Sequence, residues 1–319
     1  MPAVILSRRL PRLDRNVGLA LVLIVELVII SALVPGYFSL GGLFDASRQF
    51  AEAGLIALGM TLIIITGGVD LSVGSLLALV SVTIGFSYQA GLSLATAILA
   101  GVAVGALGGF FNGVMVTALG LHPLVVTLAT FALYRGIAFA VSKANAVSNF
   151  PPWFAFFGEK TIAHLVPVQL VCFVLLAVGF SIVLGRTAFG RRLYAIGHNE
   201  LTARFSGVNT AAVKIAVYTL TGCLVGLAGV IYTSRISSAR ANAGFGLELT
   251  VIAMVVLGGT KITGGSGTIL GTVLGVLILS YLQDGLAFAG VRSDSGLIVT
   301  GAFLIVAVLL NERFRKEPR

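Results

Sequence analysis

Apolar stretches of membrane-crossing length recur from one end of this chain to the other, and few folds can absorb such a pattern. A helix that crosses a bilayer takes about 20 apolar residues, and the sequence predicts ten such segments: 17–34, 46–65, 73–86, 92–117, 123–141, 166–184, 213–233, 246–257, 268–286 and 295–310. The expected fold class is therefore all-α, a polytopic transmembrane helical bundle of about ten spans. Of the 319 residues, 57% are hydrophobic and only 10% charged, against roughly 25% charged in a soluble domain. That composition excludes a water-soluble enzyme, and it is too apolar for intrinsic disorder.

The formal charge of +9 follows from topology and calls for no nucleic acid, since Lys and Arg collect on the cytoplasmic side of membrane proteins. With ten spans and the N-terminus inside, the inner segments carry Arg8, Arg9, Arg12, Arg15, Arg186, Arg191, Arg192, Arg204, Lys261, Arg313, Arg315, Lys316 and Arg319, thirteen of the 21 basic residues. The outer segments carry six: Arg48, Lys143, Lys160, Arg235, Arg240 and Arg292. Both termini are thus expected in the cytoplasm: an N-terminal segment 1–16, a permeation domain 17–310 containing a large inner loop 185–212, and a tail 311–319. The first apolar run is too long for a signal-peptide core and has no small-residue cleavage site after it, so it reads as a retained span. Cys172 and Cys223 lie in apolar runs without a CxxC or histidine partner and read as packing residues.

Two segments are short. At 1.5 Å per residue, 73–86 covers about 21 Å and 246–257 about 18 Å, against a hydrocarbon core of roughly 30 Å. Each is flanked by glycine and polar residues, Thr66-Gly67-Gly68-Val69-Asp70-Leu71-Ser72 in one case and Ser237-Ser238-Ala239-Arg240-Ala241-Asn242-Ala243-Gly244 in the other. Interrupted segments in the two halves of a transporter point to a solute path; the plainer reading is a tilted short helix with an ordinary loop. Gly101, Gly105, Gly109 and Gly113 recur every four residues along one helix face, where they allow close approach of a neighbour. Gly267, Gly271 and Gly275 repeat the device, and Gly222 and Gly226 echo it.

Chemistry-bearing motifs are missing from the sequence. It contains no GxxxxGK[ST] phosphate loop, HExxH or GxSxG, and no metal-ligand cluster, so ATP hydrolysis and metal binding are not expected of this chain. Its histidines, His122, His164 and His198, fall in predicted loops. Glu26 lies mid-span, where an ionisable group costs several kcal/mol unless paired; it reads as a coupling-ion site or as a hydrogen-bonded glutamate against another helix. Asp70 suits an N-cap for the short helix after it. Arg135 either snorkels outward or donates to solute hydroxyls, and Glu248 at a helix start is equally open. The inner loop 185–212 is far longer than a simple connection needs and amphipathic in content, which suggests a docking element for a cytoplasmic partner or a helix lying on the membrane surface.

Five ordered motifs carry a resemblance: Thr66-Gly67-Gly68-Val69-Asp70-Leu71-Ser72-Val73-Gly74-Ser75; Phe111-Asn112-Gly113; Thr127-Leu128 with Tyr134-Arg135-Gly136; Thr187-Ala188-Phe189-Gly190-Arg191 with Ala195-Ile196-Gly197-His198-Asn199; and Leu257-Gly258-Gly259 with Gly264-Gly265-Ser266-Gly267. Over residues 35 to 310 the chain resembles the ribose/xylose/rhamnose-type permeases of ABC importers. The resemblance implies a bacterial inner-membrane subunit importing a monosaccharide or sugar-like solute (pentose, rhamnose or autoinducer type). It implies a second permease subunit, identical or related, an extracytoplasmic solute-binding protein, and a cytoplasmic ABC ATPase that holds ATP and magnesium; this chain would bind no cofactor. It places ATPase coupling on Gly190, Arg191, Ala195, Gly197, Asn199, Ala203 and Gly207, and makes Asp70, Ser72, Ser75, Asn112, Thr127, Tyr134 and Arg135 path candidates. Many relatives have an acidic residue and alanine where this chain has Leu201 and Thr202, so no charge contact carries over to 201. The rival expectation is an ion-coupled secondary transporter driven through Glu26 or Asp70.

Overall fold

The computed structural model describes residues 15–34, 39–162 and 166–291 with a few positions between 298 and 305. The tenth predicted span, both terminal segments and His164 lie essentially outside the described residues. Eleven helices follow in chain order: α1 (Arg15–Leu33), α2 (Leu40–Ile65), α3 (Val73–Gln89), α4 (Leu94–Ala118), α5 (Pro123–Ser142), α6 (Val168–Arg186), α7 (Ala188–His198), α8 (Glu200–Phe205), α9 (Thr210–Ile236), α10 (Leu247–Leu257) and α11 (Ile269–Phe288). Between α5 and α6 lie a 3-10 turn, Pro152–Phe156, and a two-stranded antiparallel hairpin, Thr161–Ile162 with Val166–Pro167.

Seven of these helices, α1, α2, α4, α5, α6, α9 and α11, are long and apolar enough to cross a membrane, and α3 and α10 are shorter. Helix starts are written in local chemistry: the side chains of Ser93, Thr187, Asn209 and Thr268, at the heads of α4, α7, α9 and α11, accept backbone N–H bonds from Thr96, Gly190, Ala212 and Gly271, satisfying donors that the first turn leaves free.

Helix α2 is the mast of the bundle. From Phe50 to Ile65 it is enclosed almost throughout, with α6, α9, α10 and α11 around it. Helix α1 is peripheral: Val17, Leu21, Ile24, Val25 and Val28 stay exposed as an apolar outer face, while Glu26 and Ile30 turn inward, Ile30 against Gly285 of α11. Neither carboxylate oxygen of Glu26 has a hydrogen-bond partner among the described residues.

Helices α4 and α9 cross at backbone contact. A Cβ added to Gly105 would stand 2.6 Å from the Gly222 carbonyl oxygen and 2.9 Å from the Gly226 Cα. Gly109 meets Gly222, Gly113 meets Ile215 and Tyr218, and Gly101 faces Ile84 of α3 instead. Gly271 and Gly275 bring α11 onto the end of α10 at Gly258 and Met254. Gly267 precedes α11, so it belongs to a turn rather than to the helical stripe.

Glu26 is not the only carboxylate in the interior. Glu52, well inside α2, is buried and receives a 2.8 Å hydrogen bond from Arg235 Nε at the end of α9. A lone charge there would be strongly unfavourable; pairing across 183 residues of sequence resolves it.

Candidate functional site

Two segments break the helical order, and the second packs along α3, the helix that the first leads into. After Ile65 the chain leaves α2 through Gly67, which has φ of +80°, and re-enters helix at Val73. After α9 it turns at Ser237 and runs back along α3: Ala239 lies against Gly85, and Gly244 against Gly74. Gly85 and Gly74 are three helical turns apart, about 16 Å, so the segment reaches well into the bundle before α10 starts. Ala239, Ala241 and Ala243 are buried while Arg240 and Asn242 are exposed. Such a segment needs polar partners for its backbone, and Arg135 of α5 supplies them: its Nη1 donates to the carbonyl oxygens of Ala241 and Ala243, both at 2.7 Å. Through Nη1, Arg135 thus tethers a loop 106 residues away.

The first break is held by a closed network. Ser72 donates to Asp70 Oδ1 through its N–H at 2.8 Å and its hydroxyl at 2.6 Å. Asn112 Nδ2 donates to Ser72 Oγ at 2.8 Å and reaches Asp70 Oδ2 at 3.3 Å. The Tyr134 hydroxyl donates to Gly108 O at 2.9 Å and lies 3.3 Å from Asn112 Oδ1. Thr127 and Tyr218 bring hydroxyls to the Val69 carbonyl, and Ser75 bonds back to Ser72 O at 2.8 Å.

Asp70, Ser72, Ser75, Asn112, Thr127 and Tyr134 therefore do come together, but all are buried and occupied with one another, as a staple round the break. Asp70 is also not the cap of α3: that position is Ser72, and Asp70 acts one step earlier by fixing Ser72. Substituting Asn112 by alanine is expected to cost about 2–3 kcal/mol, since it strips donors from a buried carboxylate. A fall in the thermal midpoint of purified protein is the measurement; an unchanged midpoint would show that the staple contributes nothing.

The long connection 185–212 forms two helices. α7 is docked rather than adrift. The Tyr194 hydroxyl donates to Gly267 O at 2.7 Å; burial pushes this phenol up from its usual range, with Arg15 opposing, so it stays a neutral donor. Gly197 presses on the Ile65 carbonyl and on Gly265, Gly265 N donates to Ile65 O at 2.9 Å, and Arg15 Nη1 donates to Gly259 O at 2.7 Å. Beneath α7 the end of α2 and the α10–α11 turn thus share one junction.

Gly190 and Ala203 are buried against the bundle, whereas Arg191, Ala195 and Asn199 are exposed, Asn199 also capping α8 at Thr202 N. Gly207 has φ of +83° and ends α8. His198 belongs to the last turn of α7 rather than to a loop, whereas His122 does lie in the α4–α5 connection, where it caps α5. Sequence reasoning missed Glu52, Phe245 and the carbonyls of Ala241 and Ala243; the period-two alanines of 239–243 were the available signal for a half-buried, non-helical segment.

Helices of membrane-crossing length, two shorter ones that start inside the bundle, and a short helix α7 seated on the end of α2 and on the α10–α11 turn are the architecture of a membrane permease component. The same fold is found in a solved structure, an inward-facing conformation of a metal-chelate type ABC transporter, with a TM-score of 0.54 at 19% identity over 92% of this chain and 98% of that one. Residues 42–308 match the family described as branched-chain amino acid transport system / permease component, and the chain belongs to that family. It is 40% identical to the ribose import permease RbsC of Bacillus subtilis (94% of this chain, 93% of the relative) and 38% identical to that of Escherichia coli K12 (91% and 92%). It is also 34% identical to the autoinducer 2 import permease LsrD of Photorhabdus laumondii (92% and 89%). The protein is therefore a multi-pass transport component and not an enzyme.

Proposed function

We propose that this chain is the membrane subunit of a binding-protein-dependent ABC importer that carries a monosaccharide or sugar-like solute into a bacterial cytoplasm across the inner membrane. One observation carries the coupling: α7 touches, through Gly197 and Tyr194, the end of α2 ahead of one break and the turn that follows α10. A push on α7 is thereby delivered to both interrupted elements at once. The partner doing the pushing is a cytoplasmic ATPase that binds ATP and magnesium. Its groove takes the outward residues of α7 and α8, with Arg191, Ala195 and Asn199 joined by Leu201 and Phe205, which are strongly exposed.

In this reading both termini are cytoplasmic, lipid covers the outer face of α1, and a second permease subunit supplies the opposite wall of an alternating-access path. Among the sugar-like classes, the relatives' names favour a ribose-like pentose or an autoinducer-type solute over rhamnose. The test is reconstitution of the permease with its neighbouring ATPase and binding protein in vesicles. ATP-driven uptake of D-ribose, absent when a proton gradient alone is applied, is expected. Uptake driven by the gradient without nucleotide would instead support the ion-coupled transporter.

A further inference from the structure

The junction of α3 and α10 has the parts of a solute contact. Both helices begin there, and Gly74 of α3 packs on Gly244 and on the Glu248 carboxylate of α10. Helix starts carry partial positive charge, so one carboxylate answers two of them. Glu248 is only 8% exposed, and its Oε2 has no hydrogen-bond partner among the described residues. Across the junction, Arg135 spends Nη1 on the two alanine carbonyls, while its Nε and Nη2 have no hydrogen-bond partner among the described residues. Its guanidinium sits 5.9 Å from the ring centroid of Phe245, and that ring is 81% exposed, one of the most open large apolar side chains in the described protein. Arg135 and Glu248 lie within electrostatic reach of each other, so the cluster is internally neutralised.

From these features we infer that Arg135, Phe245 and Glu248 form a contact site for a neutral, polyhydroxylated ring, the cargo class of the importer reading on which this inference rests. The chemistry matches on each side. A sugar ring presents a face of C–H bonds that lies on an aromatic ring, and an edge of hydroxyls that both donate and accept. Phe245 provides the flat apolar platform, Nε and Nη2 of Arg135 provide donors in a fixed fork, and Glu248 Oε2 provides the acceptor. Few polar groups placed beside an aromatic wall are the usual make-up of a small-molecule site, and the start of a discontinuous helix is where transporters place one.

The experiment uses the complete reconstituted complex, with D-ribose, L-rhamnose and L-leucine as separate probes, and reads solute uptake and ATP hydrolysis in the same vesicles. For Phe245→Ala, uptake of the transported sugar per ATP hydrolysed is expected to fall about ten-fold with ATP hydrolysis unchanged, and Phe245→Tyr is expected to restore it. Glu248→Gln, which keeps an acceptor, is expected to transport better than Glu248→Leu. Equal losses of uptake and hydrolysis in Phe245→Ala would show a structural role and overturn the site, as would an unaltered uptake ratio. Leucine uptake in place of sugar uptake by the unaltered complex would overturn the cargo class. No ATP-driven uptake of any probe by the unaltered complex would remove the importer reading itself, and the site with it.

Discussion

Replacing Gly109 by valine is expected to leave little folded protein. A Cβ at this position would stand 2.9 Å from the Gly222 Cα and closer still to the Tyr218 carbonyl oxygen, and these are backbone atoms that cannot rotate aside. Overpacking a core that can relax costs about 1–3 kcal/mol; here α4 and α9 must part along their whole crossing, so the penalty lies at or above the top of that range. Gly136→Val is the control, because a Cβ there meets nothing within 4 Å. The measurement is the monodisperse fraction after extraction from membranes. Equal yields for the two variants would show that the helices separate at no cost.

Ala195→Pro is expected to uncouple the permease while leaving it in the membrane. The residue is exposed and sits inside α7, a helix of only 11 residues, and proline there removes a backbone donor and clashes with the preceding turn, for about 3 kcal/mol. Local unwinding pulls Gly197 and Tyr194 off their seats at Ile65 and Gly267. Co-purification of the ATPase is expected to fall more than about ten-fold, equivalent to about 1.4 kcal/mol, with membrane insertion unchanged. Retention of the ATPase at the normal ratio would contradict a coupling role for α7.

What the sequence disclosed followed from the range of each signal. The glycines at 101, 105, 109 and 113 repeat within one helix, so their shared face is local information; which of them meet Gly222 and Gly226, namely Gly105 and Gly109, is set by the crossing of α4 and α9. The connection 185–212 stands out by its length alone, which is local information too. Arg135 did not disclose its role, because its partners are carbonyl oxygens, which every residue has, 106 and 108 positions away. Glu52 lies inside the predicted span 46–65 with nothing nearby in sequence to pair with it; its partner, Arg235, is in another helix. The polar residues round Asp70 were correctly sensed as a group, but nothing in their order says whether they face a passage or one another. Burial, a property of the assembled bundle, makes them face one another.

The central position of α2 has a consequence for how the chain is made. Glu52 waits for Arg235, 183 residues downstream, and Thr61 bonds to Thr272, 211 residues downstream. A nascent chain emerging from the ribosome therefore releases this helix long before its polar partners have been synthesised. In the interval the Thr61 hydroxyl can rest on the Ala57 carbonyl of its own helix, but the Glu52 carboxylate must be sheltered by the insertion machinery or by water, and the centre of the protein becomes dry only near the end of translation.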